Sequence, residues 1–218
     1  MKWLSNFLHT SVGRKQLMAL TGLLLSIFLI LHLSGNLLLL VNDGGEKFNA
    51  YAQGLANLGI LKVIGEIALA SLFLAHIWLA LLLTSQNRKA RNSPYYYKHA
   101  SDAGLASRTM IYSGVLITLF LIIHLFDFTL TDHHVPGGLY AIVEARLSSP
   151  FGGCLYILSM TVLFFHLSHG IQSFLQSFGI FHPKHTPNIK KMCLGLALVL
   201  SLGFATIPLY FMINAGGV

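Results

Sequence analysis

Apolar residues run along this chain in five long blocks, separated by shorter stretches that hold most of its charge. The blocks cover about residues 16–41, 61–85, 109–130, 152–179 and 192–213. At ~1.5 Å of helix per residue each is long enough to cross a hydrocarbon core of ~30 Å. They are continuous rather than alternating, so the prediction is an all-α integral membrane bundle of five transmembrane helices, a single membrane domain over residues 1–218. Between the first and second blocks Phe48, Tyr51, Leu55 and Leu58 recur at helical spacing among polar residues. Leu139, Ile142, Val143 and Leu147 do the same between the third and fourth. Both connections are predicted to be short amphipathic helices lying at the membrane interface. Pro208 is expected to kink the fifth helix, which carries no polar functional residue and reads as a packing element.

Composition narrows the class. Hydrophobic residues make up 55% of the chain and charged ones 10%, against roughly a quarter charged in a soluble domain. The lipid bilayer is therefore the expected surrounding, and no nucleic-acid partner is expected. The N-terminus sets basic residues before an apolar run, as a signal peptide does. That run is far longer than a signal core and ends without a small-x-small cleavage site, so it is expected to be a span. Cys154 and Cys193 lie far apart, with no C-x-x-C-H. This excludes thioether-attached haem and an iron–sulfur cluster, and leaves two unpaired thiols packed as small apolar side chains.

The charges orient the helices. Lys2, Arg14 and Lys15 precede the first span; Arg88, Lys89, Arg91, Lys98 and Arg108 lie between the second and third; Lys184, Lys190 and Lys191 lie between the fourth and fifth. The other connections carry Asp43, Glu46 and Lys47, then Asp132, Glu144 and Arg146. The positive-inside rule places the N-terminus in the cytoplasm and the C-terminus outside.

Histidines then supply the chemistry. A single intramembrane histidine is more often a hydrogen-bonded packing residue than a ligand, but here four consecutive spans hold His32, His76, His124, and His166 with His169. His32 and His124 each lie about 16 residues into outward-running helices, ~24 Å from their cytoplasmic starts. His76 and His166 lie about 15 residues into inward-running ones, ~22 Å from the outer face. Two pairs at two depths result, His32 with His124 outside and His76 with His166 or His169 inside. Each is placed to clamp a b-type haem from both faces. Thr21-Gly22 precedes His32 by the same spacing as Ser113-Gly114 precedes His124. Three helical turns bring Thr21 and Ser113 onto the histidines' face at the depth of the inner pair, where small residues leave room for a macrocycle. Tight helix packing explains small residues there equally well, but not their register with the histidines. His9, His99, His133, His134, His182 and His185 fall outside the spans and are expected at the surface, with His133-His134 a candidate proton relay.

The segments Leu31-His32-Leu33, Gly45-Glu46-Lys47-Phe48-Asn49, Ala75-His76, Ile123-His124-Leu125 and Phe165-His166-Leu167-Ser168-His169-Gly170 resemble the five-helix, di-haem cytochrome b membrane subunit of succinate dehydrogenases and fumarate reductases. The likeness runs along essentially the whole chain. It implies two bis-histidine haems, His32 and His124 for the distal (outer) one and His76 and His166 for the proximal (inner) one. In the family a glycine follows the last ligand by four residues, as Gly170 follows His166. The resemblance also implies a bacterial cytoplasmic membrane, a flavoprotein subunit and an iron–sulfur subunit on the cytoplasmic face, and menaquinone as the electron partner, with no dicarboxylate active site in this chain. Two positions depart from the family. A glutamate serving the quinone in some members is Asn49 here, with Glu46 nearby as a substitute. A glutamate of a transmembrane proton path in others is Phe164, so that route is not expected.

Asp127, one turn past His124, is a candidate to orient that imidazole, to titrate with the quinone, or to snorkel to water. Arg14 and Arg108 start the first and third spans and suit haem propionates, although setting the topology explains them as well. The basic loops offer a docking surface for soluble subunits or anionic headgroups. The alternative function is a histidine-relay proton channel or small transporter. Transporters usually place a site at the midplane between broken helices, whereas these spans are continuous and their histidines sit off the midplane in two tiers. A quinol-oxidising cytochrome with two histidines per helix also fails, because His166 and His169 stand too close to serve separate haems.

Overall fold

A computed structural model describes the chain except residues 1–6, 8–9, 90–104, 133–134, 181, 183 and 216–218, and describes residues 105–108 by backbone only. Its elements are α1 (Ser11–Asn36), a 3₁₀ turn (Leu37–Leu40), α2 (Glu46–Ala56), α3 (Ile60–Lys89), α4 (Leu105–Phe128), α5 (Gly138–Ser148), α6 (Pro150–Ser177) and α7 (Thr186–Asn214). The fold is all-α. Five of its helices are long and apolar enough to cross a membrane, with mean hydropathy between 1.6 and 2.3 over their most apolar windows. The two short predicted helices are α2 and α5.

The differences from the predicted spans are at the ends, and each has a local cause. α1 begins at Ser11 because the Thr10 side chain accepts a hydrogen bond from Gly13 N and caps it. Its α-helical part stops at Asn36, and the last apolar residues tighten into the 3₁₀ turn before Val41 turns extended. α6 starts at Pro150, capped by Ser149 accepting from Gly152 N. α7 starts earlier than its apolar block because Pro187 suits a first helical turn. Pro208 is buried within α7, which remains helical through it.

α6 and α7 share the most extensive interface; α1 packs on both, α4 on α6, and α3 on α1. One core joins Ala19 and Leu33 of α1 to Met160, Leu163, Leu167, Ile171 and Phe174 of α6 and to Cys193, Ala197 and Leu200 of α7. A second core gathers Leu39, Phe48, Val143, Leu147, Tyr156, Ile207 and Phe211 where α2 and α5 close one end of the bundle. Gly45 makes that closure possible. Its φ of +85° is open to glycine without strain, and a Cβ there would run into the Tyr140 ring. Asn49 then links α2 to the start of α5, donating to Gly137 O at 2.8 Å and accepting from Tyr140 N at 3.0 Å. Burial, then the nearby Glu144, Tyr210 and Asp43, push the Tyr140 phenol above its ordinary pKa, so it stays neutral.

α3 is different. Leu79 is its one buried residue, and α3 meets α4 only lightly. Its outward apolar side chains suit lipid rather than protein. Cys193 is buried as expected, but Cys154 is exposed on the apolar flank of α6, which corrects the expectation that both thiols are packed inside.

Candidate functional site

The four helices α1, α3, α4 and α6 each send one histidine toward another, and the rings meet as two pairs. His76 of α3 and His166 of α6 have ring centres 6.5 Å apart. This pair lies toward the end that carries Arg14, Lys15, Arg88, Lys89 and the α6–α7 connection, the basic end. His32 of α1 and His124 of α4 have ring centres 5.9 Å apart, toward the end closed by α2 and α5.

The basic-end pair is framed symmetrically. Thr21 Oγ1 of α1 lies 2.9 Å from His76 Nδ1, and Ser113 Oγ of α4 lies 3.2 Å from His166 Nδ1. The next residue in each case is the glycine. A Cβ on Gly22 would touch His76 Cε1 at 3.6 Å, and one on Gly114 would touch His166 Cε1 at 3.5 Å. Each imidazole therefore rests against a Thr-Gly or Ser-Gly step of the neighbouring helix. The sequence placed these small residues at this depth as room for a macrocycle; the structure gives them a direct bond to the histidines as well. His169 lies three residues beyond His166 and is half-buried, and the ring facing His76 is that of His166.

The other pair sits among aromatic rings. Phe28 stacks on His32 at 5.2 Å with an 18° interplanar angle, and Phe204 of α7 lies 5.8 Å from the same ring. Phe120, Phe128 and Tyr156 surround His124. Asn36 Nδ2 donates to His32 O at 2.7 Å and lies 3.3 Å from His32 Nδ1. His124 Nδ1 is buried and has no hydrogen-bond partner among the described residues.

Asp127 has two side-chain partners that its expected roles did not include. Its Oδ2 accepts from Arg146 Nε at 2.8 Å and from Tyr156 Oη at 2.9 Å. The ion pair is largely withdrawn from the surface, so Asp127 does not snorkel, and no bond to the His124 ring is present among the described contacts. Arg146 and Tyr156 were missed in the sequence. Arg146 read as one charge of an interfacial loop, and no local sequence signal links it to Asp127, 19 residues away. Among the remaining candidates, Glu46 is exposed in the first turn of α2 and Arg14 is half-buried in the first turn of α1. The Asn49 amide is engaged in joining α2 to α5. The side chain of Arg108 and residues His9, His99, His133 and His134 lie outside the described residues. Phe164 packs against the main core.

The chain matches the succinate dehydrogenase/fumarate reductase transmembrane subunit family over residues 84–204. It belongs to that family. No curated protein and no solved structure matches it. The matched region carries His124, His166, Ser113, Asp127, Arg146 and Tyr156, while His32, His76 and Thr21 precede it. Membership makes the chain the transmembrane subunit of such a complex, a multi-pass membrane protein with catalytic partner subunits and a quinone to serve.

The histidine pairs fit the expected haem. Two imidazole nitrogens bound from opposite sides at about 2 Å each, with about 1 Å more to each ring centre, put the centres about 6 Å apart. Both observed spacings are close to that. No group of three or more His, Cys, Asp or Glu residues able to hold a bare metal ion occurs among the described residues. A metal that already carries its other ligands in a planar ring is what a pair of facing imidazoles can hold.

Proposed function

We propose that this chain is the di-haem cytochrome b anchor of a succinate:quinone oxidoreductase, passing electrons between an iron–sulfur partner subunit and menaquinone. The observation that carries the reading is the two facing histidine pairs on two levels of one bundle. His76 and His166 hold the inner haem, and His32 and His124 the outer one. When bound, each haem supplies a one-electron iron couple within the apolar bundle. The protein residues fix the imidazoles, surround the outer pair with the rings of Phe28, Phe120, Phe128 and Phe204, and set the two levels about 16 Å apart along the helices.

By the positive-inside rule the basic end faces the cytoplasm of a bacterial cell. The flavoprotein and iron–sulfur subunits dock there, and Arg14 and Arg108, near the starts of α1 and α4 at the same end, would be the cations for the propionates of the inner haem. Menaquinone, the quinone that the resemblance implies, reacts beside the outer pair, with Asp127, Glu46 and Asn49 as the candidate residues for it on that side. The spanning helices run unbroken past their histidines, which suits a scaffold for fixed cofactors better than a relay channel.

The test is spectroscopic. The purified protein is expected to contain two six-coordinate b-type haems, and His32→Ala is expected to remove the outer one while the inner remains. A haem-free protein, or one haem untouched by His32→Ala, overturns the proposal.

A further inference from the structure

The hydroxyls of Thr21 and Ser113 do more than fill space. A neutral imidazole that binds a metal through Nε2 must carry its hydrogen on Nδ1, and that hydrogen needs an acceptor. Thr21 Oγ1 stands 2.9 Å from His76 Nδ1, and its own hydrogen is directed to Met18 O at 3.0 Å. Ser113 Oγ stands 3.2 Å from His166 Nδ1, with its hydrogen directed to Met110 O at 2.9 Å. Each hydroxyl has a single hydrogen, and the carbonyl three residues back in its own helix takes it. The oxygen is then left as an acceptor facing the imidazole. Both hydroxyl residues are buried, at 8% and 7% exposure, so water does not compete for these bonds. The two arrangements come from different helices and repeat each other atom for atom. The other level has nothing equivalent: His124 Nδ1 finds no partner among the described residues, and His32 Nδ1 faces an amide nitrogen.

We propose that Thr21 and Ser113 are positioning residues for the inner haem ligands. Each accepts the Nδ1 hydrogen of the histidine it faces, which fixes the tautomer that leaves Nε2 to the metal and makes that imidazole a stronger donor. This rests on the haem reading above. A stronger donor favours the ferric state, so loss of either bond raises the inner haem's potential and leaves the outer haem's in place.

The experiment uses the assembled complex with its haems. Each haem's midpoint potential and low-spin electron paramagnetic resonance signal are measured in Thr21→Val and Ser113→Ala, and in the hydroxyl-retaining Thr21→Ser and Ser113→Thr. The inner haem is identified as the one that His76→Ala removes. An upward shift of the inner potential with a moved signal in the first two variants, absent in the last two, supports the proposal. So does loss of the inner haem in Thr21→Val that Thr21→Ser restores. An inner haem unmoved by Thr21→Val and Ser113→Ala overturns the inference while two haems remain present and the proposed function stands. Equal changes in both haems, or equal losses in the Val and Ser variants, also overturn it. Fewer than two haems in the unsubstituted complex overturns the proposed function itself.

Discussion

At the scale of single residues, the Asp127–Arg146–Tyr156 cluster is the main polar contact outside the histidine levels. It ties α4 to α5 and α6 next to His124. Arg146→Met removes the cation and leaves a carboxylate and a phenol facing each other with little water. The expected cost is about 1–3 kcal/mol, measured as a lower midpoint of thermal unfolding in detergent. Tyr156→Phe removes one bond and leaves the ion pair, so a smaller loss, about 1 kcal/mol, is expected in the same measurement. Asp127 was visible in the sequence as an acid near the end of a span. Its partners were not, because Arg146 and Tyr156 are 19 and 29 residues away and meet it only when α5 folds back over the bundle.

At the scale of elements, the two short helices depend on a few backbone positions. Gly45→Ala forces an L side chain into the left-handed region, at about 1–2 kcal/mol, and pushes a methyl group into the Tyr140 ring. Looser docking of α2 on α5 is expected, seen as faster hydrogen exchange of α2 amides with the long helices unchanged. The helical spacing of Phe48, Tyr51 and Leu55 was enough to predict α2, because amphipathic periodicity is a local property. That its Asn49 would join α2 to α5 was not legible, since an amide side chain suits many partners and the partner atoms lie 88 and 91 residues on.

At the scale of the whole molecule, α3 stands apart. With Leu79 alone buried, its seat against α1 relies on the lipid around it, on the Phe28–Phe73 contact and on the His76–Thr21 contact. Removal of haem is therefore expected to loosen α3 first. Cysteine pairs placed across the α1–α3 boundary are expected to cross-link in a narrower range of positions in the haem-loaded protein than in the haem-free one. Pairs across α6 and α7, which share the main core, are expected to cross-link alike in both.

Five spans, two interfacial helices and two depths of histidine follow from the sequence by itself. Hydrophobic length, helical rise and the placement of Lys and Arg are all measured along one chain, and a bilayer turns that linear measure into depth. Depth, however, does not say which side chains touch. His166 and His169 are one turn apart, and spacing left both open; the resemblance chose His166, and in the structure the rotation of α6 turns that ring toward His76. The same applies to Thr21 and Ser113. Their register with the histidines was legible as a repeat, but only the lateral packing of α1 on α3 and of α4 on α6 decided that each hydroxyl meets an imidazole nitrogen. Position along a helix is set by sequence, whereas the direction a helix faces is set by the neighbours it packs against.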